Sequence, residues 1–296
     1  MGTLTGRETG LHSGDGVFLA PTAESPVAAA GVSVVGGAPG HASGPWVASA
    51  WDVLTRPLPL AGLVDRLIQR SIALLAVRQV TAVYGLENLR RAPQPFIVAV
   101  NHNIKREALL VPALLVFHRD GRWIRFLADW NFLMIPVVGW VMRRSGAIII
   151  TRKPAKPAFL NRFRPRYAEA TTPAERVKAK LAAGECVGVF PEGTVNRNPR
   201  RLLVGRVGMS RLSLETGAPI VPIGIRFPAA DPDRPLREDA VMEIHIGPHL
   251  NPPTVAIDRP PPISVARRWH AAVMTEIARL SGKSWGLQSH VDDHGT

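Results

Sequence analysis

The sequence predicts an α/β fold, a mostly parallel central sheet flanked by helices and preceded by an amphipathic N-terminal helix. Three observations carry that expectation. Short, almost wholly apolar runs such as PFIVAV (95–100), CVGVF (186–190) and PIVPIGI (219–225) have the length and continuity of strands covered on both faces. Segments of helical periodicity separate these runs, the alternation of a parallel sheet rather than of hairpins. The runs also end in polar residues, as α/β sheets do where their strand ends converge on a crevice.

The chain divides into four parts by composition. Residues 1–49 are rich in Gly, Ala and Pro and poor in aromatics, the profile of a flexible tail. Residues 50–83 form an amphipathic helical segment, residues 84–282 the main domain, and residues 283–296 a C-terminal tail. From Leu60 to Val83, Leu60, Leu63, Val64, Leu67, Ile68, Leu74 and Leu75 recur at helical spacing, with Asp65, Arg66, Gln69 and Arg70 opposite them. Two fates fit such a helix. Its apolar face packs on the domain, or it embeds in a bilayer interface with Arg66, Arg70 and Arg78 at the headgroups.

In the main domain the expected strands are Phe96–Val100, Gly146–Ile150, Val187–Phe190, Ile220–Phe227 and Val241–Ile246. The expected helices are Glu107–Phe117, Pro173–Ala183, Leu202–Thr216 and Val265–Leu280, and the Pro- and Arg-rich residues 155–172 are expected to form a surface loop.

Bulk properties narrow the function classes. The single cysteine, Cys186, lies in an apolar run, so neither a disulfide framework nor a cysteine-based metal site is expected. A net charge of +13 calls for acidic partners. No helix-turn-helix or recurring aromatic-basic pattern accompanies the charge, so nucleic acid is not expected; an anionic membrane surface or a phosphorylated small molecule fits as well. No secretory leader is expected; Ser25–Trp51 is free of charged residues but is dominated by Gly, Ala, Ser and Pro and lacks the Leu and Ile of a spanning helix, and elsewhere the best charge-free apolar run, Trp130–Met142, is too short to span a bilayer and contains Pro136. A peripheral position on the cytoplasmic face of a membrane is the expectation.

Three strand ends carry chemistry. After PFIVAV come Asn101 and His102, with Glu107 five positions beyond His102. A carboxylate that holds a histidine ring fixes its tautomer and stabilises the imidazolium formed when it takes a proton from a hydroxyl. Positions five apart in one helix point well away from each other, so the pair meets only if His102 lies in a turn ahead of the helix that Glu107 opens. VGVFPEGT leaves Glu192, Gly193 and Thr194 at a second strand end, and GAIII leads into Thr151, Arg152 and Lys153, where an arginine fork suits a phosphate.

Together NHNIKRE (101–107), GAIIITR (146–152), VFPEGT (189–194) and APIVPIGI (218–225), in this order, resemble the four motifs of the glycerophosphate and lysophospholipid acyltransferase family, which includes bacterial 1-acylglycerol-3-phosphate acyltransferases. LAAGECVGVFPEGT and LLVGRVGMSRLSLETGAPIVPIGI resemble the segments leading into the third and fourth motifs, and the similarity covers about residues 83–280. The resemblance implies an acyltransferase domain in which His102 is the general base and Glu107 orients it. It implies that Asn101, Arg152, Glu192, Gly193, Thr194 and Arg206 serve the acceptor, with Pro222 in the pocket wall. No metal and no resident cofactor is implied; acyl-CoA or an acyl carrier protein is the co-substrate and a membrane phospholipid the partner. The default reaction is acylation of 1-acylglycerol-3-phosphate to phosphatidic acid. Two positions depart from the family pattern. Glu107 stands where Asp is usual, and Val195 stands where an Arg usually follows Thr, a place that Arg197, Arg200, Arg201 or Arg206 would have to fill. O-acylation of an aminolipid or glycolipid, and a non-catalytic lipid-binding protein, are the alternatives these departures leave open.

Overall fold

In a computed structural model, residues 44–286 are described apart from residues 48, 156 and 256–259. Most of the two expected tails, residues 1–43 and 287–296, therefore lies outside the described residues. The described residues build one mixed sheet from β1 (Trp46–Val47), β2 (Val80–Tyr84), β3 (Ile97–Val100), β4 (Ile124–Asp129), β5 (Ile148–Ile150), β6 (Cys186–Val189), β7 (Ile220–Arg226) and β8 (Met242–Ile246). The spatial order is β1-β2-β8-β7-β3-β6-β4-β5. Pairings are parallel except β1 with β2 and β7 with β8, so the expected mostly parallel α/β sheet is what the chain forms.

β3 lies between β6 and β7, and its alternation explains why the run is apolar throughout. Val98 and Val100 enter one core, shared with Leu110, Val111 and Leu114 of α4 (Glu107–Phe117) and with Ala73 and Ala76 of α2 (Leu63–Val77). Ile97 and Ala99 enter the other, with Leu181 of α6 (Pro173–Ala182), Met209 and Leu212 of α7 (Gly208–Thr216), and Trp269, Val273 and Ile277 of α8 (Ile263–Ser281). A strand packed on both faces has no polar side, and each buried valine contributes about 2 kcal/mol by leaving water.

Several expectations need correction. The amphipathic helix ends at Val77; Val80–Tyr84 is strand β2, paired with β8, because β-branched Val80, Thr81 and Val83 fill the sheet there. Within α2 the buried residues are Ile68, Gln69, Ala73 and Ala76, which let the helix approach α4 closely, whereas Leu63 and Leu67 are 82% and 69% exposed. Arg66 and Arg70 do not face outward as free charges. Arg66 Nε donates to the carbonyls of Leu58 and Ala61, and Arg70 donates to those of Leu54 and Arg56, where the chain leaves α1 (Ala50–Thr55).

The helix expected from Leu202 starts only at Gly208. Leu202 N–H instead donates to Ser284 O at 3.0 Å, and Gly205 takes a left-handed conformation. Residues 158–167 of the expected loop form a 3-10 helix, and β4 and α5 (Pro136–Arg144) were not expected as elements. The expected tail boundaries also shift. Trp46–Val47 forms β1, and Lys283, Ser284 and Trp285 are built into the fold: Ser284 N–H donates to Arg200 O at 2.8 Å and Trp285 Nε1 to Leu203 O at 3.1 Å.

Gly224 lets α8 lie directly on β7. A Cβ at that position would sit 2.2 Å from the backbone nitrogen of Ser281. Gly224→Ala is therefore expected to push α8 off the sheet and destabilise the fold by about 2 kcal/mol, read as a lower urea midpoint with an unchanged m-value.

Candidate active site

The carboxyl ends of β3, β6 and β7 meet, and the turn after β3 is fixed from three directions. Asn101, fully buried, accepts from Ile225 N–H at 2.7 Å and donates to Ile225 O at 3.3 Å, which ties the turn to β7. Its amide also donates to Asn103 Oδ1 at 3.2 Å. Although expected at the substrate, Asn101 thus spends its hydrogen-bonding capacity on holding the loop. His102 N–H donates to Glu192 Oε1 at 2.9 Å, which ties the turn to the segment after β6, and His102 O accepts from Asn196 N–H at 2.7 Å.

His102 then lies ahead of α4 and Glu107 in its first turn, the placement that lets two residues five apart meet. His102 Nδ1 and Glu107 Oε1 are 2.8 Å apart, with the histidine side chain 15% exposed and the glutamate side chain wholly buried. The same Oε1 takes the backbone N–H of Asn103, and Oε2 takes Asn103 Nδ2 at 3.1 Å. Burial pushes the Glu107 carboxyl above its ordinary value, while His102 and Asn103 pull it back down. Three donors converging on an acceptor-only carboxylate assign the Nδ1 proton to His102 and leave the Nε2 lone pair free. The longer Glu side chain reaches the ring from the first turn of α4 and brings Asn103 into the same hydrogen-bond set. Phe190 lies on the His102 ring with centroids 4.5 Å apart, and Phe126 lies behind it; Gly188 leaves room for Phe126, since a Cβ there would fall 2.4 Å from its ring.

Glu192 is buried, and its two oxygens are engaged by His102 N–H, by Asn196 Nδ2 at 2.8 Å and by Leu203 N–H at 2.9 Å. It positions the backbone of His102. Gly193 has φ +68°, a conformation that favours glycine, and Arg206 Nε would lie 2.8 Å from any Cβ there. Arg206 N–H donates to Pro191 O at 2.8 Å, so this arginine, distant in sequence, is laid along the turn. Thr194, Arg152 and Arg206 are exposed, and no ion pair among the described residues uses Arg152 or Arg206. Arg197 and Arg200 are already paired with Glu238 and Asp233. Pro222 is buried in β7 opposite Ala99.

Two lysines join the site that the sequence reading did not select. Lys153, next to Arg152, donates from Nζ to Gly193 O at 2.7 Å and so links the exit of β5 to the turn after β6. Lys283 donates to Asn103 Oδ1 and to Asn198 O. Adjacency to Arg152 was the one signal for Lys153, and no local pattern marks Lys283. Among the described residues, no three His, Cys, Asp or Glu side chains gather as a metal-ion cluster.

Comparisons with known proteins find acyltransferases. Residues 80–226 match the family described as Acyltransferase. A 143-residue segment is 28% identical to the chloroplastic 1-acyl-sn-glycerol-3-phosphate acyltransferase BAT2 of Brassica napus, covering 48% of this chain and 36% of that protein. A 141-residue segment is 27% identical to the chloroplastic 1-acyl-sn-glycerol-3-phosphate acyltransferase LPAT1 of Arabidopsis thaliana, covering 48% and 34%. The match thus spans about a third of the length of these curated relatives. In structure, the chain resembles the 1-acyl-sn-glycerophosphate (LPA) acyltransferase PlsC from Thermotoga maritima with a TM-score of 0.50 and 18% identity, over 81% of this chain and 91% of that one, so the two share a fold.

Glu192→Ala strands three donors at once. It is expected to destabilise the protein by about 3 kcal/mol, measured by chemical denaturation, and to loosen the His102 turn, measured as faster hydrogen exchange at the amides of residues 102 and 203.

Proposed function

Because the chain belongs to the Acyltransferase family, we propose that it moves a fatty acyl group from a thioester, acyl-CoA or acyl carrier protein, to the hydroxyl of a lysophospholipid, by default 1-acylglycerol-3-phosphate. The observation that carries this reading is the His102–Glu107 pair, 2.8 Å apart, with a buried carboxylate behind a partly exposed ring. In the proposed reaction His102 Nε2 takes the proton of the acceptor hydroxyl as its oxygen attacks the thioester carbonyl carbon. The tetrahedral intermediate collapses, the C–S bond breaks, and the imidazolium returns the proton to the leaving thiolate. Glu107 keeps the ring in the right tautomer and stabilises the imidazolium.

Arg152 and Arg206 are the proposed phosphate contacts. Both are exposed cations without ion-pair partners among the described residues, and the position of Arg206 against Gly193 supports it as the arginine that serves in place of the one missing at Val195. An aminolipid or glycolipid acceptor would not need this pair. The proposed location is the surface of a membrane. No helix among the described residues is long and apolar enough to cross one. Support comes from α2, which turns Leu63 and Leu67 outward, and from the ion pair of Asp65 with Arg144 at 2.7 Å, which ties α2 to α5, where Val137 and Trp140 are exposed as well.

Purified protein in mixed micelles, assayed for acceptor-dependent thiol release, tests the reading. His102→Ala is expected to lose about a thousandfold in kcat and Glu107→Gln at least about a hundredfold; full activity in His102→Ala with every acceptor would sink it. The rate should fall on the acid side as Glu107 is neutralised and no longer holds the His102 ring. Since Glu107 is raised, its carboxylate neutralises at a higher pH than a free one, so the acid limb of kcat/KM is expected above the ordinary carboxylate range. Leu63→Asp with Leu67→Asp is expected to cut co-flotation with anionic vesicles by about tenfold or more, with activity on a short-chain soluble acceptor retained.

A further inference from the structure

Lys283 follows Gly282, the left-handed residue that ends α8, and lies outside all four sequence segments of the site. It is 7% exposed. Its Nζ reaches Asn198 O at 2.6 Å and, more closely still, Asn103 Oδ1. Asn103 Oδ1 therefore faces two donors, Lys283 Nζ and Asn101 Nδ2, while Asn103 Nδ2 faces Glu107 Oε2 at 3.1 Å. A flipped Asn103 amide would set its NH2 against both donors and its oxygen against a carboxylate. An ammonium can only donate, so Lys283 reinforces the one orientation that also suits Asn101 and Glu107.

The acidic groups facing Nζ are Glu107, from α4, and Glu192, from the turn after β6, with His102 beyond Glu107. Burial lowers the Lys283 ammonium to about 8, and these two carboxylates oppose that fall. At neutral pH the cation is present and faces Glu192 and Glu107.

We propose that Lys283 is a positioning residue for the base: it locks the Asn103 amide toward Glu107 and, with its charge, holds that carboxylate ionised behind His102. The effect on turnover rests on the acyltransferase reading; the network does not. Two measurements on the full chain separate them. The first follows the Glu107 carboxyl carbon by carbon-13 NMR titration, assigned by its absence in Glu107→Gln. The second compares kcat, KM and the pH profile of acyl transfer.

In Lys283→Met the Glu107 midpoint is expected to rise by about half a unit or more, and the acid limb of kcat/KM to move up with it. The same variant should lose about tenfold or more in kcat, with KM changed by less than about twofold. Lys283→Arg, which keeps the charge and the donors, should restore the midpoint and most of the rate. Lys283→Gln, which keeps a donor and drops the charge, carries the same test if the Met variant does not fold. An unchanged Glu107 midpoint in a folded Met or Gln variant overturns the proposal, whatever happens to the rate. A shifted midpoint in a protein that acylates no acceptor supports the network and counts against the acyltransferase reading instead.

Discussion

A buried carboxylate has to be surrounded by donors, and the site is organised by two of them. Glu107 and Glu192 each collect three hydrogen bonds, and His102 supplies one to each, its ring to Glu107 and its backbone to Glu192. An unmet donor or acceptor at this depth would cost about 1–3 kcal/mol, so the loop conformation that serves both acids is strongly preferred. The position of His102 is thus a by-product of satisfying two anions. That is a firmer way to hold a ring than packing alone, because the ring and its own backbone are anchored to different elements.

This dependence explains why much of the site could be read from the chain. The strands that end at it are continuous apolar runs, and the polar residues placed after them have no other reason to interrupt a buried segment. His102, Glu107 and Glu192 fall in such places. Harder to read was which of them face a substrate: Asn101 and Glu192, expected at the acceptor, prove to be fully engaged in holding the turn. Lys283 left no trace, because its partner Asn103 is 180 residues away and nothing in the sequence around it is periodic.

The fold shows the same division. β3, β6 and β7 are apolar on both faces and stand out, whereas β4 carries Arg125 and Asp129 and does not resemble a buried strand. Arg125 is accommodated because its guanidinium pairs with Glu185 at 2.6 Å and reaches Ser145 O. In α2 the leucine spacing announced an amphipathic helix without saying which side the protein would keep. Close approach to α4 settles that, since Ala73 and Ala76 fit between two backbones and the leucines do not. Leu202–Val204 read as the start of a helix, yet those backbone groups are taken by Glu192 and Ser284. Tertiary partners overrode local propensity there.

The tie between Lys283 and Asn103 has a consequence in time. During synthesis His102 and Glu107 leave the ribosome some 180 residues before Lys283 does. Until α8 has emerged and docked on β7, Asn103 lacks one of the two donors to its Oδ1 and a cation is missing beside two buried acids. The most local part of the site, a histidine and a glutamate five residues apart, is therefore completed by one of the longest-range contacts in the chain, and a nascent fragment that stops short of α8 carries both residues without the arrangement that couples them.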